Sequence, residues 1–256
     1  MSVPRDPIGR YHDHLALLHD QLRIAQIAMY RQNRKAIIAL EGYDASGKGG
    51  VIRELSYAWD PRGFQVYPIG PPAMTEAAHP FLWRFWNRLP TPGLIAVFDR
   101  SWYGRLLVER VEQGLPDTEY ETSIVEINAF ERMLIENQIT LVKLFLDTDR
   151  ETHRTRLLRR AERPEKRWKL TESDIESYRH REAYEQAFAN LLRRCQTPHW
   201  HRINANEKKQ GRLDALDCIL QALEVDLKPR TFALNPGVSE RLHELSNNDV
   251  NLPKAR

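Results

Sequence analysis

The sequence predicts an α/β fold: a three-layer α/β/α domain around a parallel sheet, with a helical lid at one edge. Three observations predict it. Short apolar runs at 36–40, 94–98 and 140–146 have the length and side chains of strands buried on both faces. Helical patterns of ten or more residues alternate with these runs, which makes βαβ units and a sheet covered on both sides. A glycine-rich segment, 42–50, sits directly between the first strand and the next helix.

In chain order, residues 8–33 place Leu15, Leu18, Leu22 and Ala25 at helical spacing, an amphipathic N-terminal helix. Ala36–Leu40 is the first strand, and Val51–Trp59 resumes a helical pattern after the glycines. Phe64–Pro68 reads as a second strand ending in the turn Gly70-Pro71-Pro72. A helix around Pro80–Arg88 and the strand Leu94–Phe98 follow. Then come a long helix at 119–137, the strand Thr140–Leu146, and helices near 149–162 and 172–194. A weak strand at Trp200–Asn204 leads to a helix at 208–223. One domain, 1–227, holds these elements, with a lid at about 150–180. Residues 228–256 mix Pro, Asn and charge and are expected to be a loosely held tail.

The 256 residues suffice for a substantial core, and 41% hydrophobic with 29% charged residues excludes a disordered chain. A formal charge of +3 does not argue for a nucleic-acid partner. No run approaches the roughly 18 apolar residues of a membrane span, and no signal-length apolar run opens the chain. Cys195 and Cys218 lack metal or CxxC spacing and read as reduced thiols. A cytoplasmic protein without membrane or nucleic-acid partners is the expectation.

Gly42-Tyr43-Asp44-Ala45-Ser46-Gly47-Lys48-Gly49-Gly50 follows a strand and opens a helix. Glycines there let successive N–H groups turn onto a phosphate, and the helix adds its positive end. Lys48 would reach the β- and γ-phosphates. Gly49 stands where such loops usually carry a metal-binding hydroxyl, so Asp44 becomes the candidate metal carboxylate. Asp99, ending an apolar strand, is placed as the second, Mg²⁺-orienting carboxylate. Arg100 and Arg105 lie at the same sheet edge, where open α/β sheets bind ligands. Helix capping by Asp99 and surface pairing of the arginines are the structural alternatives.

Residues 150–169 hold nine Arg and Lys residues. Arg156, Arg159, Arg160 and Arg163 recur at helical spacing, and Lys166 and Lys169 follow Pro164. A cationic, helix-edged segment here suits a closing lid, because phosphoryl transfer needs charge neutralisation and water exclusion. The alternative is a solvated helix paired with Glu151, Glu162 and Glu165. Arg53 and Arg84 either touch substrate phosphate or serve as surface charges. Trp83 and Trp86 either stack on a base or join the core.

The runs Leu40–Gly50, Leu82–Trp86, Phe98–Arg105, Val108–Val111 and Lys166–Leu170 closely resemble the family-2 polyphosphate kinases, across roughly 8–225. That resemblance implies a thymidylate-kinase-like P-loop kinase that moves a terminal phosphate between inorganic polyphosphate and a nucleotide with Mg²⁺, or Mn²⁺ in its place. It implies Asp44 and Asp99 as metal carboxylates and Lys48 and Arg100 as catalytic groups. It also implies phosphate or nucleotide contacts from Gly42, Ser46, Gly47, Gly49, Gly50 and the lid arginines. Leu82–Trp86 and Trp102–Arg105 look most similar to the subgroup that converts AMP to ADP, whose members often carry two fused copies; this sequence carries one. Acceptance by ADP or GDP, and a non-catalytic polyphosphate-binding protein, are the competing expectations. The family usually self-associates, so a dimer or tetramer is expected.

Overall fold

The structure, a computed structural model, describes residues 7–225, 227 and 234–248. Its elements in order are α1 (Pro7–Arg31), β1 (Lys35–Gly42), α2 (Lys48–Ala58), β2 (Phe64–Pro68), α3 (Met74–Ala77) and α4 (Trp83–Trp86). Then follow β3 (Ile95–Asp99), α5 (Val108–Glu112), α6 (Asp117–Glu136), β4 (Ile139–Asp147) and α7 (Arg150–Glu162). The chain continues through α8 (Glu172–Arg179), α9 (Arg181–Arg194), β5 (Trp200–Asn204), α10 (Lys208–Glu224) and α11 (Pro236–Asn248). The five strands form one sheet in the order β2-β3-β1-β4-β5, and every neighbouring pair is parallel.

The expected strands are therefore the observed ones, with ends shifted by a residue or two. β1 lies at the centre and is buried from Ala36 to Glu41, as a parallel strand covered on both faces must be. Alternation along it divides two cores. Ile38 and Leu40 face α1, α2 and α10, meeting Leu18, Leu22, Leu55, Leu216 and Ile219. Ile37 and Ala39 face α6 and α9, meeting Ile127, Phe130, Phe188 and Leu191. Fully burying one such side chain contributes roughly 1.5–3 kcal/mol.

Differences from the sequence expectation have local causes. α1 stops before 33 because Asn33 adopts φ +53, a left-handed conformation that ends helices. The helix expected around Pro80–Arg88 is the single turn α4, while α3 was not expected. The helix expected at 172–194 breaks at His180 into α8 and α9. A 3₁₀ turn, Pro164–Lys169, fills the gap after α7. Within the tail, Pro236–Asn248 is helical where no helix was expected; Val238, Leu242 and Leu245 have helical spacing and are exposed. Residues 1–6, 226, 228–233 and 249–256 lie outside the described residues. Among the described residues no helix is long and apolar enough to cross a membrane.

Candidate active site

The carboxyl ends of β1 and β3 meet at one edge, with Leu40 in register with Asp99. β1 runs straight into the glycine-rich loop, and Gly47 caps α2 with φ +124, a conformation that glycine adopts without strain. Lys48, the first residue of α2, folds back across the loop and donates to the Gly42 and Tyr43 carbonyls at 2.8 and 3.0 Å. Its ammonium is buried beside the loop backbone. Burial and then the nearby Arg100 lower its pKa, while Asp44, Asp99 and Glu41 pull it up.

Asp44 and Arg100 are brought together across the edge. The Arg100 guanidinium donates to Asp44 Oδ1 in a close ion pair. The Asp44 carboxyl is lowered: burial opposes ionisation, but Arg100, Lys48 and a hydrogen bond from the Ser177 hydroxyl outweigh it. Desolvation would lower Arg100, but Asp44, Asp99 and Glu41 dominate and raise it. Asp99 ends β3, half-buried.

Neither Glu41 nor Ser177 is among the site residues expected from the sequence. Glu41 is buried and accepts from the Ser101 N–H and hydroxyl, both at 2.8 Å. Burial raises its pKa despite Ser101, Lys48 and Arg100. This contact ties the end of β1 to the turn after Arg100, so it sets the geometry of both loops. An acid inside an otherwise apolar strand was the available clue. Ser177 lies on α8, and nothing in its neighbours marks it.

A cavity of about 830 Å³ opens in front of these groups. Asp44, Arg100, Arg84, Arg105, Glu109 and Ser177 are among its lining residues. Arg84 donates to the Gly70 carbonyl at 3.0 Å and pairs with Glu76 at 3.2 Å. Arg105 pairs with Glu109 and, at 2.7 Å, with Glu119. Both arginines thus border the cavity but hold carboxylates. Arg53 lies on α2 with its side chain exposed, 3.6 Å from Glu54.

The expected lid arginines divide. Arg156 is buried and donates to the carbonyls of Ala45 and Ser46 at 3.2 and 2.9 Å, and to those of Ala205 and Asn206 at 2.5 and 2.8 Å. Its guanidinium braces the glycine-rich loop against the β5–α10 loop, and all four bonds go to backbone. Arg160 pairs with Asp174 at 3.3 Å. Arg159, Arg163 and Lys169 are exposed and Lys166 is half-buried. Lys208 belongs to this group in space: burial, then Arg156, Lys166, Arg159 and Arg160, lower its ammonium to about 8.

The ends of β1 and β3, a glycine-rich loop with its lysine, and the basic helix α7 packed against that loop match the frame that phosphoryl-transfer enzymes use. The family model of polyphosphate kinase 2 matches residues 8–231. The chain belongs to the polyphosphate kinase 2 family. The polyphosphate:AMP phosphotransferase of Acinetobacter johnsonii is 37% identical over 227 residues, 88% of this chain and 47% of that relative. The chain spans about half the length of that curated relative. The ADP-polyphosphate phosphotransferase 3 of Rhizobium meliloti is 32% identical over 217 residues, 84% of this chain and 76% of the relative. Among solved structures, the polyphosphate kinase 2 of Arthrobacter aurescens TC1 superposes with a TM-score of 0.84 at 28% identity, covering 91% of this chain and 84% of that one.

Which residues of this family member could hold a metal follows from the donor set. Among the described residues no group of three or more His, Cys, Asp or Glu could hold an ion. Asp44 and Asp99 offer oxygen only, Asp44 within the glycine-rich loop and Asp99 at the end of β3. Mg²⁺ is bound in this way, by one or two carboxylates with water and substrate phosphates completing its shell. The residues fit such an ion.

Proposed function

We propose that the protein transfers a terminal phosphate between inorganic polyphosphate and a nucleotide, with AMP as acceptor and ADP as product. The observation that carries this reading is the pairing of Asp44 with Arg100, both lining a cavity of about 830 Å³, next to a glycine-rich loop across which Lys48 folds. The names of the Acinetobacter and Rhizobium relatives support the donor. Asp44 and Asp99 would hold Mg²⁺, or Mn²⁺, which when bound neutralises charge on the phosphoryl oxygens. Lys48 holds the donor phosphate against the loop N–H groups, and Arg100 faces the spreading negative charge. α8 borders the cavity through Ser173 and Ser177.

ADP appearing from AMP, polyphosphate and Mg²⁺ is the expected result. Absence of ADP, or Lys48→Ala and Asp99→Asn proteins that make it at the wild-type rate, would overturn the reading. A diphosphate acceptor is the second reading, favoured by the larger share of the Rhizobium relative that the chain covers. An acceptor panel of AMP, ADP and GDP separates the two. The reading extends to a cytoplasmic homo-oligomer; exposed Leu17, Ile24, Ile27 and Tyr30 on α1 support self-association. Light scattering tests it.

A further inference from the structure

Arg100 stands where a cation belongs. It follows Asp99 at the end of β3 with φ +63, a conformation that side-chain-bearing residues adopt under strain. Its N–H donates to the Leu40 carbonyl at 3.0 Å, which locks that backbone to β1. From this anchored turn the guanidinium reaches the glycine-rich loop and pairs with Asp44. Three carboxylates, Asp44, Asp99 and Glu41, act on it. Glu41 is already engaged by Ser101, and Asp44 also receives the Ser177 hydroxyl. The charge of Asp44 is therefore answered by an arginine of the protein itself.

A divalent cation seeking the same oxygen must compete with that guanidinium. Substrate phosphate changes the competition, because planar N–H donors pair with phosphate oxygens at least as well as with a carboxylate. We infer that Arg100 occupies the cation's place on Asp44 until phosphate draws it away, so that metal and phosphate bind cooperatively. The inference rests on the reading of Asp44 as a metal carboxylate. By linkage the coupling is reciprocal: phosphate tightens metal binding by the same factor as metal tightens phosphate binding. The arrangement keeps the ion from settling on the enzyme ahead of its substrate.

Mn²⁺ binding to the full chain, followed by electron paramagnetic resonance with and without inorganic phosphate, tests this. Wild type binds Mn²⁺ weakly alone and about tenfold more tightly with saturating phosphate, within the usual range of coupling between sites. Arg100→Gly tolerates φ +63 and should fold; it binds Mn²⁺ about tenfold more tightly than wild type without phosphate, and phosphate then tightens binding by a smaller factor than in wild type, the remainder being direct coordination of the ion by phosphate. Arg100→Asn, which also accepts a left-handed backbone, serves as the second variant. Unchanged Mn²⁺ affinity in both variants, or an undiminished phosphate effect, overturns the inference. Loss of a merely nearby charge would tighten Mn²⁺ equally in both states and leave the coupling intact. An Asp44→Asn protein with wild-type Mn²⁺ affinity overturns the metal reading beneath it as well. Normal loss in Asp44→Asn with unaltered Arg100 variants removes the inference alone.

Discussion

Arg156 on α7 donates to the Ser46 carbonyl at 2.9 Å, and the same guanidinium reaches Ala205 beyond β5. A residue expected from the sequence to contact phosphate also braces the glycine-rich loop against the loop after β5. Lysine carries one compact charge and cannot span two loops with paired donors. Arg156→Lys and Arg156→Ala should each destabilise the protein by about 2–4 kcal/mol through unpaired buried carbonyls. Urea denaturation checks it; a lysine variant of wild-type stability that binds only polyphosphate more weakly would restore the direct phosphate role.

Two glycines of the loop should respond oppositely to alanine. Gly42 has φ +139, and a Cβ there would lie 2.3 Å from the Leu146 carbonyl oxygen of the neighbouring strand. Neither backbone can retreat without breaking the β1–β4 ladder, so Gly42→Ala should cost more than about 3 kcal/mol or abolish soluble expression. Gly49 lies in the first turn of α2 with nothing within 4 Å of its added Cβ. Gly49→Ala should hold or raise stability by up to about 1 kcal/mol. Thermal melts of the two proteins decide it, and equal losses would show that the loop geometry is misread.

Lys143 and Glu131 form an ion pair of 2.8 Å with both side chains fully buried. Glu131 also accepts from Trp102 Nε1 at 3.0 Å and from the Tyr103 hydroxyl, and Lys143 donates to the Cys195 carbonyl at 2.8 Å. The network thus fixes the turn that follows Asp99 and Arg100. Lys143→Met leaves a buried carboxylate without its cation and should destabilise by about 3–5 kcal/mol. Pairing it with Glu131→Leu should recover a large part of that loss. A double variant no better than the single one would show that the hydrogen bonds to Trp102 and Tyr103, not the ion pair, dominate.

Sheet and loop were legible because their signals are local. A continuous apolar run such as 36–40 has few other solutions than a central parallel strand, and Gly42–Gly50 encodes its own backbone. The partners of charged side chains were not legible, because spacing along a helix says which residues share a face and not what faces them. Arg156 and Arg160 share the basic stretch, yet one meets four carbonyls and the other Asp174. Ser177 reaches Asp44 only because α8 breaks from α9 at His180, a break that helical periodicity does not show. Glu41 directly follows the apolar run 36–40, but its partner Ser101 comes from a different strand end, which the sequence does not show.

His153 gives the last prediction, and its sign follows from burial. The ring is fully buried in α7 between Tyr43 and Tyr178, Nε2 has no hydrogen-bond partner, and Nδ1 lies 3.4 Å from the Arg181 guanidinium. Burial and then Arg181 lower its pKa from 6.5 to about 4, with Asp44 pulling the other way. Between those values the unfolded chain binds a proton that the folded protein refuses. Stability from this group is therefore complete above pH 6.5 and is lost as pH falls toward 4. From pH 6.5 to 5 the loss should be about 1.5 kcal/mol. His153→Gln, with no proton to take up, should lose less over the same window in urea midpoints. Because His153 packs against Tyr43 of the phosphate loop, the wild-type loss should begin there. Hydrogen exchange would show α7 and the loop opening before β1 and β4; an identical acid slope in the variant would assign the loss to other groups.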